Sequence, residues 1–185
     1  MELKYGIWEQ QLNNTINNWM LTIIVSFLTF IIFNQSDGKP IDPEFKAELQ
    51  KIYNQQVPTI RIEDYLRLNH DSLAILDARE KEEFNVSHLR NAINVGYIWF
   101  DMRDIYSIPK EKTIIIYCSV GNRAQRIAEM LIRAGYKNVY NLYGGIFEWV
   151  NEGYPVYTFN GAQTSQIHAY NKHWNVWLER GTKVF

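Results

Sequence analysis

The 185-residue sequence holds one cysteine, Cys118, at the end of the apolar run TIIIY and directly before SVGNR. A lone thiol in such a place is either a small buried apolar residue or a nucleophile. The residues that follow favour the nucleophile. The backbone of Ser119, Val120, Gly121 and Asn122 can turn several N–H groups toward one point, making an anion nest at the start of a helix. Gly121 can take a positive φ and lets a ligand approach the main chain closely. Arg123 adds a fixed cation for an anionic substrate or leaving group. The expected site is therefore Cys118 as the catalytic sulfur, with Ser119, Val120, Gly121, Asn122 and Arg123 binding the substrate. A single cysteine excludes a disulfide within the chain and any multi-cysteine zinc or iron–sulfur centre.

Such a loop needs a strand to deliver the sulfur and a helix to follow it, and the flanking sequence supplies both. Residues 113–117 are rich in β-branched side chains, as a buried strand requires. Residues 124–134 switch to helical period, with Ile127, Met130, Leu131 and Ala134 on one face and Gly135 as the stop. Further strands are predicted at 58–62, 72–77, 92–95 and 139–142, and helices at 42–53 and 63–68. Asp42 is placed to cap the first helix and Pro43 to occupy its first turn. Gly144 and Gly145 turn the chain into a last short helix through Trp149. Alternating strands and helices predict one α/β domain with a parallel sheet, and ligands of open α/β sheets bind beyond the carboxyl ends of the strands. Cys118 falls at that edge.

Three ordered motifs then bring a family into view. LDAREKEEFNVSHLRNAINV (76–95), YCSVGNRA (117–124) and NLYGGIFEWVNEGYPV (141–156) together resemble the rhodanese family, over about residues 58–155. The resemblance implies a rhodanese-like parallel sheet flanked by helices and a sulfurtransferase without a cofactor. In that chemistry Cys118 takes the outer sulfur of a small anionic donor such as thiosulfate and passes it to cyanide or an external thiol. A rhodanese-like module that binds a partner or carries sulfur without turning over small donors is the second reading. Four residues separate Cys118 from Arg123, whereas cysteine-dependent phosphatases of a similar fold have five. The narrower loop suits a sulfur atom better than a tetrahedral phosphoryl group. One departure is Leu89-Arg90-Asn91 after His88, where the family usually has Ile-Pro-Gly.

Other candidates carry less chemistry. Asp77 and Arg79 read as a loop-organising pair, with Arg79 also a possible substrate contact. Glu82 and Glu83 read as one helix-face charge and one structural partner, and His88 as a structural hydrogen-bonding residue. Trp99, Phe100 and Tyr106 are expected to pack over the sheet edge. In the tail 158–185, Trp174, Trp177 and Leu178 are expected to pack back on the domain, while His168 and His173 lack the further ligands of a metal site. With Lys+Arg 19 against Asp+Glu 20, no basic field points to nucleic acid. A hydrophobic content of 46% is enough for a packed core.

The N-terminal end is different. Residues 19–33, WMLTIIVSFLTFIIF, run from Trp19 to Phe33 without a charge. They are shorter than the roughly 20 residues that span a bilayer comfortably. Membrane anchor, cleaved signal segment and buried helix all compete, and the anchor reading leads because no clear cleavage site follows Phe33. The expected organisation is a polar segment at 1–18, an anchor or signal helix at 19–33, a linker and helix at 34–56, the α/β domain at 57–157 and the tail at 158–185. A membrane association through Trp19 to Phe33 follows, with the side of the membrane and the oligomeric state left open.

Overall fold

The computed structural model describes residues 41–185. The segments 1–18 and 19–33, with the start of the linker, lie outside the described residues. Among the described residues no helix is long and apolar enough to cross a membrane.

Helix α1 (Pro43–Ile52) starts where Asp42 accepts hydrogen bonds from the amides of Glu44 and Phe45, at 2.8 and 3.0 Å. Pro43 fills the first turn, where its missing N–H costs nothing. Strand β1 (Thr59–Ile60) and helix α2 (Ile62–Leu66) follow, then β2 (Leu73–Asp77), α3 (Lys81–Val86) and β3 (Ile93–Asn94). The centre of the fold is β4 (Thr113–Tyr117), α4 (Asn122–Arg133), β5 (Asn138–Leu142) and α5 (Gly145–Asn151). The five strands form one sheet in the order β1-β5-β4-β2-β3, every pairing parallel. The predicted parallel sheet is present, with short edge strands: β1 keeps two of the five residues expected at 58–62, and β3 two of four. An outer strand pairs on one side only, which favours short strands there.

Both faces of β4 are covered, so the strand is apolar throughout. Ile115 and Tyr117 point into the cluster that holds Phe45, Leu49, Phe147 and Trp149. Ile114 and Ile116 point the other way, to Ile127, Ala128 and Leu131 of α4. Cys118 continues the second set in alternation, which brings its side chain to the α4 face.

The tail is part of the same packing. After the antiparallel hairpin of β6 (Val156–Tyr157) and β7 (Gln163–Thr164), the strand β8 (Gln166–His168) pairs in parallel with β9 (Thr182–Val184). Ile167, Ala169 and Leu178 are buried, and Trp177 stacks on Phe45 at 5.5 Å between centroids. The expected packing of Trp174, Trp177 and Leu178 is found, within a 3-10 turn at Asn175–Trp177. The aromatic insert is a correction: Trp99 and Tyr106 are 87% and 67% exposed, and only Phe100 packs inward. Ile105 occupies the buried place in that segment.

Candidate active site: the Cys118 loop

Cys118 leaves β4 at its carboxyl end, and α4 begins at Asn122, two residues earlier than the apolar periodicity indicates. Between them the chain turns its carbonyls outward, one after another. Cys118 O accepts from Ile146 N–H at 2.9 Å and Ser119 O from Phe147 N–H at 3.1 Å. The Tyr53 hydroxyl donates to Val120 O at 2.8 Å, and Asn141 Nδ2 donates to Gly121 O at 2.9 Å. In a trans peptide the N–H points opposite to the C=O before it. Four outward carbonyls therefore set the amides of residues 119–122 toward the inside of the loop. The Gly121 amide donates to Cys118 Sγ at 3.1 Å. Such an arrangement of amides has the form of a backbone nest.

Two glycines make the arrangement possible. Gly121 has φ +100°, and a Cβ there would run into the ring and hydroxyl of Tyr53. Gly145 has φ +59°, and a Cβ there would strike the carbonyls of Cys118 and Ser119 that the first turn of α5 must reach.

The side chains of the loop are placed differently from expectation. Arg123 is not free to grip a substrate: Nη1 lies 2.5 Å from Glu83 Oε2 and Nη2 lies 2.8 Å from Glu83 Oε1. Nη2 also donates to Ser119 Oγ at 3.0 Å, so the Ser119 hydroxyl is drawn into the same pair. Tyr170 of the tail covers the guanidinium at 4.5 Å. Burial pushes the Glu83 carboxyl up, but the Arg123 fork and the charges of Arg123 and Arg79 outweigh it and hold the group below the ordinary carboxylate range. Val120 is buried in the core and contributes only its backbone, and Asn122 opens α4 half-buried. Arg123 thus anchors α4 to α3, and the nest is left to the main chain.

Arg79 has a structural place as well. It is fully buried, with Nη2 2.7 Å from Asp77 Oδ2 and 2.6 Å from Ser87 O. It bolts β2 to the end of α3 and does not face a substrate. Asp77 and Arg79 are the loop-organising pair expected. His88 is structural: its Nδ1 lies 3.0 Å from Phe84 O, and its ring stacks on Phe84 at 3.9 Å. Of the paired acids, Glu82 is exposed and Glu83 is the buried partner. At the unusual Leu89-Arg90-Asn91 turn, Asn91 takes φ +61°, a conformation that asparagine tolerates where glycine is common.

Two contributors escape sequence reasoning. Glu83 is 40 residues from Arg123, and nothing local couples the two. Tyr53, at the end of α1, donates to Val120 O and also accepts from Gly144 N–H at 2.9 Å, so it ties both glycine turns together. The only local signal for it is its place at the end of an amphipathic helix.

Comparison with known proteins agrees with this geometry. Residues 63–152 match the model of the rhodanese-like domain. The adenylyltransferase and sulfurtransferase uba4 of Ogataea parapolymorpha is 31% identical over 86 residues, 45% of this chain and 22% of that protein. The tRNA uridine(34) hydroxylase of Hamiltonella defensa is 36% identical over 80 residues, 40% of this chain and 22% of that protein. The chain thus spans about a fifth of the length of these relatives. Among solved structures, the thiosulfate sulfurtransferase of Pseudomonas aeruginosa has a TM-score of 0.53 at 21% identity, covering 64% of this chain and 23% of that one. A Bacillus halodurans protein has a TM-score of 0.51 at 24% identity, covering 64% of this chain and 86% of that one. These two likenesses show the shared fold. Residues 63–152, with Cys118 at the carboxyl end of the central strand, are a rhodanese-like domain.

Proposed function

We propose that the Cys118 loop transfers sulfane sulfur. The observation that carries this reading is the Gly121 amide donating to Cys118 Sγ, in a loop whose four carbonyls are all bonded to other parts of the fold. The thiolate pair of Cys118 attacks the outer sulfur of a thiosulfate-like donor and forms an S–S bond. The bond to the inner sulfur breaks, and its electron pair leaves with sulfite. Amides directed at the loop interior stabilise the anionic persulfide that remains. Cyanide or an external thiolate then attacks the outer sulfur, and the pair of the broken S–S bond returns to Cys118. This is covalent catalysis in two steps, for which ping-pong kinetics are expected. The relative described as an adenylyltransferase and sulfurtransferase supports the same chemistry.

Intact-mass measurement after thiosulfate treatment tests the reading. The wild-type protein gains one sulfur atom, and Cys118→Ser gains none. A wild-type protein that stays unmodified, by thiosulfate and by a small organic persulfide alike, ends the catalytic reading.

One observation favours a second reading, a sulfur carrier loaded by a partner protein. The fork of Arg123 is held by Glu83, so no free guanidinium awaits a small anionic donor. A carrier accepts sulfur from a persulfide but turns over thiosulfate and cyanide poorly. Steady-state thiosulfate:cyanide kinetics separate the two. We also propose that residues 19–33 tether the domain to a membrane, because they form 15 consecutive uncharged residues. Full-length protein is then expected to resist carbonate extraction with Met1 intact, and release of intact protein by carbonate overturns the tether.

A further inference from the structure

A cleft of the described residues lies away from Cys118. It encloses about 520 Å³ and runs between the start of β2, the 89–93 turn, the 107–109 turn and the face of α5 that carries Trp149. That volume is in the range of small-molecule sites, about 300–1,000 Å³. Its inner surface is mainly hydrocarbon and aromatic, with Leu73, Ile75, Leu89 and Trp149 facing one another across it. Its charge is one-sided. Arg90 and Lys112 line it, and no aspartate or glutamate does.

The cations are also unspent. The Arg90 guanidinium lies over the Tyr157 ring at 4.1 Å, and neither Arg90 nor Lys112 forms an ion pair among the described residues. Elsewhere the same chain pairs its buried arginines closely, as Arg79 and Arg123 show. A cation spread on an aromatic face keeps its N–H edge available for an incoming anion. An apolar site that offers cationic donors and no acceptor anion is complementary to one kind of guest, an apolar ring system carrying a negative head.

We propose that this cleft is a second binding site, for a small aromatic carboxylate or sulfonate. The ring lies against Trp149 and the aliphatic floor, and the anionic group reaches Arg90 and Lys112. The site stands apart from the sulfur chemistry: none of residues 118–123 lines it.

Calorimetry on the full chain with 2-naphthoate, and with 2-naphthylmethanol as its neutral counterpart, tests this. Naphthoate binds saturably at one site per chain, about tenfold tighter than the alcohol, as a charge-assisted contact in a partly enclosed site provides. Arg90→Glu and Lys112→Glu each weaken naphthoate by about tenfold or more and leave the alcohol within about twofold. Both positions lie at the cleft rim, so the variants are expected to keep the melting temperature of the parent, and Arg90→Gln checks the charge without reversing it. Cys118→Ser binds naphthoate as the parent does. Absence of saturable binding, equal affinity for acid and alcohol, or indifference to both charge reversals overturns the proposal.

Discussion

The Cys118 loop and the apolar cleft sit on one sheet and are built in opposite ways. The loop is organised by its main chain, with the Gly121 amide donating to Cys118 Sγ and the four carbonyls of residues 118–121 bonded to other parts of the fold. The cleft offers about 520 Å³ and few polar groups. A reaction at one sulfur atom requires directed amides more than space, whereas recognition of a ring requires buried apolar area. The size of a cavity is therefore a poor guide to the chemistry here. The two regions also treat arginine differently: Arg123 is locked into a carboxylate fork, and Arg90 rests on a ring with its edge open.

The sharpest way to break this comparison is to cut the fork. Arg123→Ala leaves Glu83 buried without its partner and is expected to cost about 3–5 kcal/mol of folding stability, as removal of one member of a buried pair does. Denaturant unfolding measures it. Sulfur loading should fall with the loss of loop order, while naphthoate binding to any folded fraction stays intact. Unchanged stability would show that the pair contributes no net anchoring. The pH dependence has a definite sign. Glu83 is held below its ordinary value of 4.5 in the folded protein, so its contribution is present above that value and lost as the pH falls through the folded pKa. The stability gap between wild type and Glu83→Gln should narrow on acidification below about pH 4.5. A gap that stays constant down to the acid transition contradicts the assignment.

Next in size is Tyr53. Tyr53→Phe removes the donor to Val120 O and the acceptor of Gly144 N–H. About 1–3 kcal/mol of stability is expected to go, since both main-chain groups are left partly buried and unpaired. The turnover number should fall more than the melting temperature alone explains, and an unchanged turnover number would mean that Val120 O holds its direction without help. Tyr170→Leu is the mildest change. It removes an aromatic cover over Arg123 worth about 0.5–1 kcal/mol. A modest rise in the donor KM with little change in stability is expected, and Tyr170→Phe should restore the parental value. If leucine and phenylalanine behave alike, the ring has no part in positioning Arg123.

Much of the fold was legible because its signals are local. The β-branched run before Cys118 marks the central strand, Gly121 marks the turn, and Gly135 marks the end of α4. Asp42 and Pro43 set the start of α1 as their capping chemistry predicts. Trp99 and Tyr106 were misread because an aromatic side chain is assigned to a core by its type, while exposure depends on whether another element covers it. Arg123 was misread for a related reason. Its spacing from the thiol is local, but its carboxylate arrives from α3 through the pairing of β2 with β4.

The sequence by itself determined the sulfur, the glycine that lets the loop fold around it, and the strand and helix that bracket it. These depend on residue types within a few positions of one another, where φ preference and periodicity act directly. Only the tertiary structure decided which side chains remain available. Glu83, Tyr53, Asn141 and Tyr170 converge on five residues of loop from four separate parts of the chain. Their hydrogen bonds and ring contact engage Ser119, Arg123 and the loop carbonyls, because a buried polar group must be satisfied by whatever the fold brings within reach.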